Sequence, residues 1–99
     1  MVLVSILSCP WEGAEELGSR FPNAPALPDH MTMRGPYGYP NQERSWTSIQ
    51  IYEFDQSKMA EATQAVHARL VTYNGIPGLT YEVRICTEPG DAAAAAADN

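Results

Sequence analysis

Hydrophobic and polar residues alternate along three stretches of the chain, and each alternation predicts a half-buried β-strand. In the clearest, Ser45 to Phe54, Thr47, Ile49 and Ile51 share one face, and Trp46, Ser48, Gln50, Tyr52 and Phe54 the other. In Leu79 to Thr87, Leu79, Tyr81, Val83 and Ile85 oppose Thr80, Glu82, Arg84 and Cys86. A shorter stretch, His30 to Arg34, sets Met31 and Met33 against His30, Thr32 and Arg34. Val2 to Ser8 is instead continuously aliphatic and β-branched, the pattern of a strand buried on both faces.

Two segments change period. Trp11, Ala14, Leu17 and Phe21 recur at helical spacing between Pro10, suited to a first turn, and Pro22, which stops the run. A short helix is predicted from Pro10 to Arg20. Met59, Ala62, Val66, Leu70 and Tyr73 form a second stripe, capped by Asp55 and closed by Asn74-Gly75. Gly35 to Pro40 carries two glycines and two prolines in six residues, so it is read as the frayed end of the His30–Arg34 strand and a hairpin loop running to Glu43.

Ninety-nine residues suit one domain. Residues 1–90 are assigned to it, and 91–99, with six alanines, to a flexible tail that is at most weakly helical. Hydrophobic residues make up 44% and charged residues 18%, a globular balance. The net charge of -6 and the scatter of six basic residues oppose nucleic-acid binding. The apolar N-terminus lacks a basic region and a small-residue cleavage site, so it reads as a strand rather than a signal peptide. No run is long enough to span a membrane, and a cytoplasmic location is expected. Cys9 and Cys86 match no zinc spacing.

The order β-α-β-β-α-β is that of the ferredoxin-like α+β fold: a four-stranded antiparallel sheet with both helices on one face. Right-handed crossovers place the first and third strands at the centre and the fourth beside the first. Cys9 and Cys86 then lie at opposite ends of the sheet, too far apart for a disulfide. On parity, Met31, Met33, Ile49, Ile51, Val83 and Ile85 are expected to face the helices. The open face is expected to carry His30, Thr32, Arg34, Trp46, Ser48, Gln50, Tyr52, Glu82 and Arg84, a mixture of polar groups and aromatics suited to a partner or a ligand.

In element order, length and the Gly75-Ile-Pro-Gly-Leu-Thr-Tyr-Glu-Val83 entry to the last strand, residues 1–88 resemble the dimeric α/β-barrel superfamily. Small antibiotic-biosynthesis monooxygenases and muconolactone-isomerase-like enzymes belong to it. The resemblance implies a homodimer whose sheets pack face to face, often with a pocket between each sheet and its own helices.

The chain has no phosphate-binding glycine loop, no metal-ligand spacing and no nucleophile elbow, so no cofactor or metal is expected. His30 is the candidate catalytic base, with a surface Asp29-His30 pair as the plainer reading. Arg34, Tyr37, Trp46, Gln50 and Tyr52 are the candidate ligand-binding residues; a turn for Tyr37 and interface hydrogen bonding for Gln50 and Tyr52 are the plainer ones. The leading expectation is a homodimeric barrel protein binding a small apolar or aromatic molecule. The alternatives are a cofactor-independent monooxygenase or isomerase, and an assembly subunit without catalysis.

Overall fold

The structure is a computed structural model that describes residues 1–41 and 44–87. Its strands are β1 (Val2–Pro10), β2 (Thr32–Asn41), β3 (Ser45–Glu53) and β4 (Thr80–Cys86), and its helices α1 (Ala14–Arg20) and α2 (Met59–Val71). They follow the order β-α-β-β-α-β and build one antiparallel sheet in the order β2-β3-β1-β4. This is the expected α+β, ferredoxin-like arrangement. The last part of the hairpin loop and the tail lie outside the described residues.

Each helix is entered through a 3-10 turn, Trp11–Gly13 before α1 and Gln56–Lys58 before α2. Asp55 caps the second turn, its carboxylate accepting from the Ser57 amide at 2.9 Å. That bond, and one from the Ser57 hydroxyl, holds the exposed Asp55 carboxyl below its usual range. The chain leaves α2 through Gly75, whose φ of 92° is a left-handed conformation that L side chains resist.

β2 differs from expectation. The Gly35 to Pro40 segment does not fray; it pairs with β3 to Asn41 after a register shift between Arg34 and Tyr37. Two prolines are accepted because β2 is an edge strand and the shift is a bulge, where missing N–H groups cost no ladder bond. The Gly35-Pro36 bond is cis.

Residues opposite one another in an antiparallel pair project to the same face, so the register assigns the faces. Leu3 stands between Tyr52 and Ile85, Ser5 between Gln50 and Val83, and Leu7 between Ser48 and Tyr81, with Cys9 opposite Trp46. This is the face under the helices. Leu3, Leu7, Cys9 and Tyr52 are each 1% exposed or less and pack with Leu17 of α1 and Ala62, Val66 and Leu70 of α2. Met33, Val83 and Ile85 lie on this face as expected.

The expected parity of β3 is reversed. Trp46, Ser48, Gln50 and Tyr52 lie beneath the helices, and Ile49 and Ile51 are on the open face. Both faces of β3 bear large apolar side chains, so alternation alone does not say which is covered. The open face is consequently apolar at its centre: Val4 opposite Ile51 and Ile6 opposite Ile49. Arg34, paired with Glu53, flanks it on one side, and Arg84, 3.1 Å from Glu82, on the other.

Candidate functional site

Between α1 and the sheet is a cavity of about 260 Å³. Its floor is β3, where Trp46, Ser48 and Gln50 point up from alternate positions. Its roof is one side of α1, Ala14, Leu17 and Gly18, continued by Phe21. Pro36 and Gly38 of β2 and Tyr73 beyond the end of α2 complete it.

Two of the roof residues on α1, Ala14 and Gly18, are small and leave room at the cavity's border. A Cβ built at Gly18 meets nothing within 4 Å. Gly38 has the opposite role: a Cβ there would lie 2.2 Å from Cζ2 of Trp46, so its absence lets the indole lie flat over β2. The other face of that wall is Trp11, whose ring meets Trp46 edge-on, with centroids 6.0 Å apart. Phe21 is held from behind by the Arg69 guanidinium, 5.7 Å from its ring centroid. Arg69 is buried, and one of its nitrogens donates to the Pro25 carbonyl, which fixes the chain after Phe21.

Gln50 is the polar centre. Its Oε1 accepts from the hydroxyl of Tyr52, two residues along the same face of β3, and from the Ser5 hydroxyl at 3.4 Å. With its carbonyl end held on the core side, the amide group is oriented as a fixed dipole. Burial pushes the Tyr73 phenol above its ordinary range, partly offset by hydrogen bonding with Gln50 and by the charge of Arg69. Among the described residues, no Asp, Glu, Lys, Arg or His lines the cavity.

Trp46 and Gln50 thus line one cavity, and Tyr52 holds Gln50 from beside it on the same face of β3 without lining the cavity. Arg34 and Tyr37 lie elsewhere: both are on the open face, Arg34 paired with Glu53 and Tyr37 opposite Ile49. His30 is in a third place, in the turn before β2, with Nε2 3.2 Å from a Glu61 carboxylate oxygen but not aligned for a hydrogen bond. It was expected on the open face beside Arg34; instead it packs toward α2, at the far end of β2 from Gly38. Phe21, Leu17 and Tyr73, core positions by their helical spacing, and Ser48, an open-face position by parity, also line the cavity. Among the described residues no cluster of His, Cys, Asp and Glu could hold a metal ion, and no helix is long and apolar enough to cross a membrane.

This is the geometry of a small α+β protein with a neutral, aromatic-walled cavity. No protein-family model matches the chain, and comparison with curated proteins returns no match.

Proposed function

We propose that the protein binds a small, neutral, largely aromatic molecule between α1 and β3, and that a second copy of the chain covers the open sheet face. One observation carries the ligand reading: a cavity walled by Trp46, Phe21 and Tyr73 with a single oriented amide, Gln50, in its floor. Predominantly apolar walls around a few placed polar groups are the usual make-up of ligand sites. An apolar cavity of about 150 Å³ accepts a benzene ring, so about 260 Å³ suits a bicyclic system. A charged ligand would meet no counter-charge among the described lining residues and would lose part of its hydration.

The sheet face supports the homodimer. Val4, Ile6, Ile49 and Ile51 form an apolar centre, with an Arg and a Glu at each flank, so a copy related by a twofold axis meets like surface with like. Monooxygenase or isomerase chemistry with His30 as base has less support, because His30 is not on the cavity wall. The lining's titratable group is Tyr73, which burial keeps protonated.

Titration with 1-naphthol tests the ligand reading. Trp11→Phe leaves Trp46 as the reporting indole, and saturable quenching of its fluorescence is expected. Gly18→Leu, which fills the cavity while favouring the helix, should abolish that quenching in a folded protein. Equal quenching with and without Gly18→Leu would overturn the assignment.

A further inference from the structure

The sheet has two edges of different character. At β2 the edge is broken by the bulge after Arg34 and by Pro36 and Pro40, features that oppose strand addition. At the other edge, β4 runs from Thr80 to Cys86 in unbroken register with β1, without proline or bulge, and among the described residues no strand pairs with its outer side. Along that edge Tyr81 is 50% and Ile85 59% exposed, although both lie on the face under the helices. A regular strand with an open ladder and exposed apolar side chains is a site for β-augmentation.

We infer that β4 pairs antiparallel with β4 of a second copy about a twofold axis through Val83, joining two sheets into one of eight strands. The register follows from symmetry. Opposed residues must share a face, which confines the axis to a residue position rather than a peptide bond. An axis at Glu82 or Arg84 sets that charge against its own copy. An axis at Val83 pairs the whole strand: Glu82 faces the partner's Arg84, Arg84 the partner's Glu82, and Tyr81 the partner's Ile85. The neighbouring Glu82 and Arg84 are therefore self-complementary in this register alone.

This contact is independent of both the cavity and the open sheet face. Val83 projects to the helix side, so copies meeting through Val4 and Ile6 would hold their Val83 side chains on the outer sides of the assembly.

Crosslinking and charge exchange together test it. Val83→Cys in a Cys86→Ser background, treated with a short bismaleimide, should give a covalent dimer; Cys9 is buried and does not react in the folded protein. Glu82→Arg and Arg84→Glu each set like charges across the axis and should weaken self-association about tenfold. Mixed, those two variants should associate with each other as the unsubstituted chain does with itself. A folded Val83→Cys variant that stays uncrosslinked, or charge variants that show no mutual preference, would overturn the inference.

Discussion

Gly38 and Trp46 lie against each other across the β2–β3 hairpin, with the indole occupying the place where a side chain at Gly38 would begin. The cavity wall therefore depends on an absence in one strand as much as on a large residue in the next.

Gly38→Ala should displace the indole from its seat. A new Cβ cannot coexist with a ring atom at 2.2 Å, and the ring is wedged against Trp11. Overpacking of this kind costs about 1–3 kcal/mol. A fall in denaturant midpoint with a shifted Trp46 emission is expected; an unchanged spectrum would mean that the ring does not rest on Gly38.

Gln50→Leu should destabilise the fold as well as the site. It leaves the buried Tyr52 hydroxyl without its acceptor, at a cost of about 1–3 kcal/mol. Adding Tyr52→Phe removes the stranded donor, so the double variant should recover part of the loss. Additive losses in urea unfolding would show that the two side chains are not coupled.

Tyr73 should titrate late. Its folded-state pKa is raised, so the associated stability is complete below the ordinary tyrosine value of about 10 and is lost as pH rises through the folded value. Ultraviolet titration should show a phenol that ionises above the ordinary tyrosine range, and Tyr73→Phe should reduce that late absorbance change. A late absorbance change of undiminished amplitude in Tyr73→Phe would contradict the placement.

Ile49→Glu tests the sheet face. A carboxylate at the apolar centre, between Ile6 and Tyr37, would be desolvated by any copy covering it. Light scattering should show the mass fall by half while circular dichroism is unchanged. Retention of the full mass would place the contact elsewhere.

The element order was legible because each period was distinct: alternation for β3 and β4, a three-four stripe for α2. The covered face of β3 was the harder reading, since Ile49 and Ile51 on one side are as apolar as Trp46 and Tyr52 on the other. A local signal did exist. Phe54 precedes the capping Asp55, and Met59 follows four residues after it, the spacing of a hydrophobic staple at a helix start. That places Phe54 under α2, and alternation then carries Tyr52, Gln50, Ser48 and Trp46 to the same side. The continuation of β2 through Gly35 to Pro40 was masked by residues that read as turn punctuation but serve here as an edge and a bulge. The cavity itself was not legible, because it depends on how Ala14 and Gly18 of one helix sit over Gln50, 36 and 32 residues further along the chain.

The proposed ligand is a neutral aromatic molecule that enters between α1 and β3. The most direct measurement is a backbone-amide NMR titration with 1-naphthol. Shifts should concentrate at Leu17, Gly18, Gly38, Ser48 and Gln50 and saturate together. No saturable shifts, or shifts gathered at Arg34, Tyr37 and Ile49 on the open face or around His30, would contradict it.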